Sequence, residues 1–416
     1  MNIRQKILLD RFTGRPAASV LNVAARALAL ILRRDHKLHD RFRRIAVSKF
    51  VGMGSIIQMT PLLRTLRANF PKARIAFITS ESNRELAGRL NLFDDIITVS
   101  DAGFGPLIST MGRALLRLWR FKAELYLDYE IFSNFSGILA TLSCAKTRIG
   151  FFKSSYAYRS GIYNYLIYYN LMSPVSEVYL QSARLLGCKT ITRELDRLEV
   201  RPEDRRDLAD VLRFDPQEPY LVVNPNASDL RVERRWDAAC YGELMEKLAE
   251  AYPERRLILI GVKSEAAYTS SIRERIRAPF RERVLDVAGH LTLGALFALL
   301  EGAELLISND TGPMHISFAL RKKTVTLWGP GHPGQYGDPE NSTSIYKNVY
   351  CSPCIYEFDI PPCKGDNQCM KAISVEDVLD AVRSVLDKKP TPPFSPGPMI
   401  YTRSGGAYPL GIVVKS

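Results

Sequence analysis

Residues 305–330 read LLISNDTGPMHISFALRKKTVTLWGP, and this stretch decides the fold. Leu305 to Ser308 has the apolar character of a buried strand. Asn309-Asp310-Thr311-Gly312-Pro313 interrupts it, and Met314 to Leu320 reads as a helix, with Pro313 suited to its first turn. Lys323 to Trp328 is the next strand, ended by Gly329-Pro330-Gly331. A strand, a tight glycine turn and a helix start make an anion site, because backbone N–H groups and the positive end of the helix dipole point at one spot. Asp310 falls at the carboxyl end of the strand, where open α/β sheets bind ligands. The same turn chemistry also suits a capped helix with no ligand.

Working outward, the alternation of strand and helix repeats. Upstream lie strands at Tyr220 to Asn224, Arg256 to Ile260 and Val284 to Val287, with helices at Ala238 to Tyr252, Ala266 to Arg277 and Leu293 to Glu301. An earlier series has strands at Ile45 to Phe50, Ala73 to Thr79, Ile96 to Ser100 and Ala123 to Tyr129. Its helices are Ile56 to Asn69 and Pro106 to Trp119. Such alternation predicts parallel, doubly wound α/β sheets. The 416 residues suffice for two domains. The expected division is a basic amphipathic arm at 1–44, an N-terminal Rossmann-like domain at 45–200 and a charged inter-domain helix and linker at 201–219. A second Rossmann-like domain at 220–389, with a Cys-rich segment at 351–369, and a disordered Pro-, Gly- and Ser-rich tail at 390–416 follow.

The formal net charge is +13, so an anionic partner is expected: nucleic acid, a phosphorylated glycolipid or an acidic membrane surface. Residues 1–44 hold 11 Lys and Arg against 3 Asp. Val20 to Leu32 is an apolar run too short to span a bilayer, flanked by Arg15, Arg33 and Arg34. It suits either the interface of an anionic leaflet or a helix packed on the domain. With the basic excess in the arm rather than on the cleft face, nucleic acid is not an expected partner. Seven cysteines in this length exclude a disulfide scaffold. Cys351, Cys354, Cys363 and Cys369 cluster at spacings that would permit a structural zinc or redox site.

After the first strand, Val51-Gly52-Met53-Gly54-Ser55 is a second glycine turn, and a strand, Gly-x-Gly and helix make a ligand-loop geometry at Gly54 and Ser55. Asp128 and Glu130 stand at the end of the fourth strand, on one face if that strand continues through them. Paired carboxylates can raise one pKa and favour a general base; Glu130 is preferred and Asp128 is its partner. Residues 151–173 interleave eight aromatics with Lys153 and Arg159, which suits either an acceptor-side surface or a packed helix wall.

Asp310-Thr311-Gly312-Pro313-Met314-His315, followed by a helix, a strand and Trp328-Gly329-Pro330, resembles the sugar-nucleotide motif of the ADP-heptose:lipopolysaccharide heptosyltransferases, glycosyltransferase family 9. Asn226-Ala227-Ser228 with Arg234-Arg235-Trp236 resembles the segment that grips donor phosphates, and Gly261 with Glu265 the loop that binds the nucleotide ribose. The match covers roughly Lys49 to Met370. It implies two facing Rossmann-like domains of GT-B type, an acceptor domain at 45–200 with Gly54 and Ser55 in its cleft loop and a nucleotide-sugar domain at 220–389, with the closing helix Val375 to Asp387 returning to the first. It also implies inverting transfer of a sugar, heptose by default, to a lipopolysaccharide-core or related envelope glycan. No metal cofactor is required, and the enzyme is expected to be cytoplasmic and peripheral on the inner face of the bacterial inner membrane. Relatives carry Gly-Asp at the first glycine turn, the Asp being the base; Gly54-Ser55 stands there instead, with Thr60-Pro61 retained. Serine without an activating partner is no general base. A second reading is therefore a non-catalytic nucleotide-sugar or glycan binding protein of the same fold.

Overall fold

A computed structural model of the chain describes residues 10–31, 38, 41–100, 102–131, 133–212, 214–227, 231–355, 357, 361 and 363–387. The expected tail at 390–416 lies outside the described residues. The chain divides into two units between Asp196 and Arg197.

The first unit holds a six-stranded parallel sheet: β1 Arg44–Ser48, β2 Arg74–Ser80, β3 Asp95–Val99, β4 Leu125–Asp128, β5 Thr147–Phe152 and β6 Tyr165–Tyr168. Its order is β3-β2-β1-β4-β5-β6. The second unit repeats the plan with β7 Tyr220–Asn224, β8 Arg256–Leu259, β9 Val284–Asp286, β10 Leu305–Asn309, β11 Thr324–Trp328 and β12 Ser342–Tyr346. Its order is β12-β11-β10-β7-β8-β9. Counted within each unit, both sheets run 3-2-1-4-5-6, the doubly wound Rossmann order. Each is thus Rossmann-like, the building block of the GT-B class. The central strands are buried on both faces, which is why they read as unbroken apolar runs such as Tyr220-Leu221-Val222-Val223. Ile45 pairs with Ile75 and Leu125, and Leu305 with Leu221.

The described part of the arm takes the second of its two readings, a helix packed on the first unit. Asp10 accepts hydrogen bonds from the Asn134 and Phe135 N–H groups at 2.9 Å, at the start of helix Asn134–Leu142. Helix Arg15–Ile31 buries Ala18 in the first unit's core, and Asn22 accepts a bond from the Gly161 N–H. The helix read within 201–219 is Pro202–Val211, which packs against helix Leu293–Gly302 and buries Leu208. The closing helix, Val375–Leu386, packs on its own unit beside helix Ala238–Ala251 and β12. There Val378 and Val382 join the core around Trp236, whose Nε1 donates to Ile373 O at 3.0 Å.

The aromatic stretch is mainly an inner wall. Phe151 and Tyr169 stack edge-on at 5.0 Å beside Tyr129 and Tyr179, and all four are buried. Tyr168, on the edge strand β6, is the exposed exception.

Asp10 reaches across 124 positions to satisfy helix-start amides. Asp10→Ala should therefore cost about 1–2 kcal/mol of stability in urea unfolding, and Asp10→Asn, which keeps one acceptor, clearly less. Equal losses from the two would show that the side-chain oxygens do not serve as a cap.

Candidate functional site

In the second unit, the loops after β7, β8, β10 and β11 all leave the carboxyl edge of the sheet, since the strands are parallel. Asparagines lock these loops together. Asn309 donates to Pro225 O and Asn226 O at 2.9 and 3.2 Å, while Tyr241 donates to Asn309 Oδ1. Asn224 donates to Ser308 Oγ and to Thr311 Oγ1. Asn226 donates to Ile260 O, and a Cβ on Gly261 would lie 2.6 Å from that amide nitrogen. Glycine at 261 is therefore a packing requirement between two loops.

Helix Gly312–Ala319 begins at this edge, with Thr311 as an N-cap whose side chain makes no cap bond. The Thr311 hydroxyl is taken up by Asn224 instead, so the first-turn amides and the dipole keep their anion-binding character. Asp310 is buried just before it, and Arg234 Nε lies 3.2 Å from Asp310 Oδ2 without hydrogen-bond alignment. Burial pushes the Asp310 carboxyl above its usual range, and Arg234 opposes that shift. His315 follows one turn on, where burial first and Arg234 second bring its pKa down to about 3. It is therefore a neutral imidazole at neutral pH, packed edge-on to Tyr336.

Buried polar atoms without hydrogen bonds gather on these loops beside the ion-paired Asp310: Asn226 Oδ1, His332 Nε2 and Gln335 Nε2. Most buried polar atoms in a folded chain are paired, so unpaired atoms on adjoining loops mark a place built for a polar ligand.

Of the donor-side residues expected from sequence, Asn226, Arg234, Asp310, Thr311, Gly312, Pro313, Met314 and His315 belong to this edge. Met314 is fully buried and is a packing residue of the helix. Pro313 has no N–H to offer. Arg235 donates to Ala227 O and stacks over Tyr268 at 4.1 Å, which holds the loop after β7. Glu265 accepts from the Val262 N–H at 2.9 Å and closes its own turn. Ser228 lies outside the described residues. His332, Gln335 and Gly331 were not foreseen. A Cβ on Gly331 would lie 2.7 Å from Asp310 Oδ2, so the glycine after Trp328-Gly329-Pro330 is the signal that tied this loop to Asp310.

In the first unit, Gly54 and Ser55 sit in helix Met53–Gln58, entered through Gly52 at φ 90°, a backbone angle that favours glycine. The expectation that Asp128 and Glu130 share a strand face is corrected: β4 ends at Asp128. Asp128, 1% exposed, accepts from Ser48 Oγ, Tyr163 OH and Ser136 Oγ and faces no cleft. Burial raises its pKa. Glu130, 4% exposed, folds back onto the glycine turn. It takes Lys49 Nζ at 3.1 Å on both oxygens and the Phe50 and Val51 N–H groups on Oε2. Its geometry is that of a clamp on the turn.

The cysteine expectation also changes. Cys351, Cys354, Cys363 and Cys369 are free thiols, and among the described residues no group of three or more His, Cys, Asp or Glu is placed to hold a metal ion. Local packing fixes the cysteines where they stand. The Cys354 N–H donates to Pro330 O, and Cys369 Sγ lies 3.0 Å from where a Cβ on Gly329 would be. Burial, reinforced by neighbouring thiols, pushes Cys369 up to about 12 and Cys354 to about 11.

Comparison with known proteins agrees with this geometry. Lipooligosaccharide heptosyltransferase 2 of Campylobacter jejuni serotype O:2 is 26% identical over 169 residues, 40% of this chain and 50% of that protein. The chain thus spans about half the length of this curated relative. A glycosyl transferase family 9 structure from Veillonella parvula superposes with a TM-score of 0.69 at 19% identity, covering 85% of this chain and all of that one. The Escherichia coli structure described as ADP-heptose lps heptosyltransferase II gives 0.66 at 18% identity, covering 83% of this chain and 99% of that one. At these identities the two structures speak to the fold. The profile described as glycosyltransferase family 9 (heptosyltransferase) matches residues 135–363, more than half of the 416 residues. The chain belongs to glycosyltransferase family 9.

Proposed function

We propose that this chain transfers a heptose from a nucleoside diphosphate heptose, ADP-heptose by the names of its relatives, to a hydroxyl of a lipopolysaccharide-core or related envelope glycan. The observation that carries the reading is the carboxyl edge of the second sheet, where an anion-binding helix start, Asp310, Arg234 and unpaired buried polar atoms adjoin.

In this reading the donor diphosphate lies against the Gly312 and Met314 amides, with Arg234 supplying a forked cation. Asp310, a buried acceptor, takes sugar hydroxyls. Inverting displacement then needs the leaving diphosphate charge stabilised, and fixed amides with a guanidinium do that without a metal ion. His315, neutral, serves as packing beside the site rather than as a proton carrier.

The acceptor side rests on the glycine turn at Gly54 and Ser55. We assign Glu130 to holding that turn, because both its oxygens are taken up by Lys49 Nζ and Oε2 also accepts the Phe50 and Val51 N–H groups. The rival reading, a binding protein without turnover, is favoured by Ser55 in the place of the relatives' Asp.

We also propose that the protein is cytoplasmic and works at the inner face of the inner membrane. No helix among the described residues is long and apolar enough to cross a bilayer. Helix Arg15–Ile31 presents Val20, Val23, Leu28, Leu30 and Ile31 to solvent, an apolar face suited to a leaflet surface.

Arg234→Lys should keep a charge beside Asp310 and leave the melting temperature of the free protein nearly unchanged. It should weaken ADP binding by roughly tenfold, the worth of a lost charge-assisted hydrogen bond. Calorimetric titration showing unchanged ADP affinity would remove Arg234 from the donor site. Glu130→Gln should lower kcat while leaving the acidic limb of the pH–rate profile where it was. Loss of that limb would reinstate Glu130 as the base. Absence of both transfer and donor hydrolysis in the unaltered protein would favour the binding-protein reading.

A further inference from the structure

At the opposite edge of the first unit's sheet, the segments entering β1, β4 and β5 surround a cavity of about 640 Å³. Arg41, Arg43, Arg44, Lys122 and Lys146 line it, together with Trp119. One carboxylate, Glu124, offsets them. It binds Arg44 Nη2 at 2.9 Å and the Arg43 N–H at 2.8 Å, which draws the segment before β1 onto the segment before β4. The cavity therefore carries an excess of four positive charges on fixed backbone. The strands between it and the glycine turn are about 15 Å long, so it is separate from the acceptor edge.

The surface beside the cavity is apolar. Helix Phe104–Phe121 ends at it, and its inner side chains Ala114 and Leu118 are in the core. Ile108, Leu116 and Trp119 are about half exposed. At 3.6 residues per turn they fall within an arc of about 80° on the outer face, with Arg113, Arg117 and Arg120 along one border. Trp119 Nε1 donates to Leu142 O at 2.8 Å, which fixes the indole at the mouth of the cavity. A soluble anion would have no use for this stripe. A bilayer surface uses both, because the indole and aliphatic side chains enter the headgroup–acyl boundary while cations meet lipid phosphates.

We propose that this cavity and the Ile108–Leu116–Trp119 stripe form a docking site for the headgroup of an anionic phospholipid. The site extends the membrane reading given above, which rests on a different helix, and supplies it with a headgroup contact. It seats the first unit on the leaflet by the amino ends of its strands and leaves the glycine turn at the other edge free for a glycan.

Intrinsic fluorescence tests this directly. The chain has three tryptophans, and Trp236 and Trp328 are 1% and 0% exposed, so an emission shift on adding vesicles reports Trp119. Full-length protein should shift to shorter wavelength with phosphatidylglycerol–phosphatidylcholine vesicles and not with phosphatidylcholine alone. Arg41→Glu combined with Lys146→Glu, both exposed, should reduce partition onto the anionic vesicles by roughly twentyfold or more, taking about 1 kcal/mol per basic side chain. ADP binding should be unchanged in that variant. Val23→Asp with Leu30→Asp on helix Arg15–Ile31 should lower partition but keep the Trp119 shift in the bound fraction. If only this second variant loses the shift, or none appears with anionic vesicles, the headgroup site is wrong; the first of these outcomes leaves the membrane reading standing. Inorganic phosphate at matched ionic strength that abolishes the shift would assign the cations to a soluble anion and overturn the proposal.

Discussion

Asp310 is held almost out of water's reach with a guanidinium beside it, and the second unit is arranged around keeping it there. Burial raises the pKa of the carboxyl; Arg234, 3.2 Å away, works against that. The pair is costly to leave half-made, and the loops that hold it are fastened to each other rather than left to solvent. Gly331 permits the close approach on one side, and Asn309, Asn224 and Asn226 tie the neighbouring loops on the other. The arrangement buries polar atoms that the chain itself does not satisfy, a standing cost that a bound polar ligand would relieve.

The two units reuse one topology for different purposes. Each places a glycine-containing turn and a helix start at the carboxyl edge of its sheet. In the second unit the turn is backed by an acid–guanidinium pair and unpaired polar atoms. In the first, the corresponding acid, Glu130, is spent on Lys49 and the turn's own amides. The first turn is thus stiffened by its carboxylate.

Much of this was legible in the sequence, for identifiable reasons. Strands buried on both faces are unbroken apolar runs, so β7 was read to its limits and β1, β2, β8 and β11 to within two residues. The donor edge was visible because its residues sit in short motifs at strand ends. The edge strands β6 and β12 were not: Ser342-Thr343-Ser344-Ile345-Tyr346 is polar, and Tyr165 to Tyr168 is hidden in an aromatic stretch. Strand alternation failed at Asp128 and Glu130 because it assumes a strand that continues, and β4 stops at Asp128. Cysteine spacing suggested a ligand set, yet spacing says nothing about which thiols the core will claim for packing. Long-range partners such as Asp10 with Asn134 leave no local trace at all.

The most direct test of the account is a crystal structure of the chain with a non-transferable ADP-heptose analogue. The account predicts the diphosphate against the Gly312 and Met314 amides within reach of Arg234, and a sugar hydroxyl on Asp310. A diphosphate bound elsewhere, with the Asp310–Arg234 pair untouched, would contradict it.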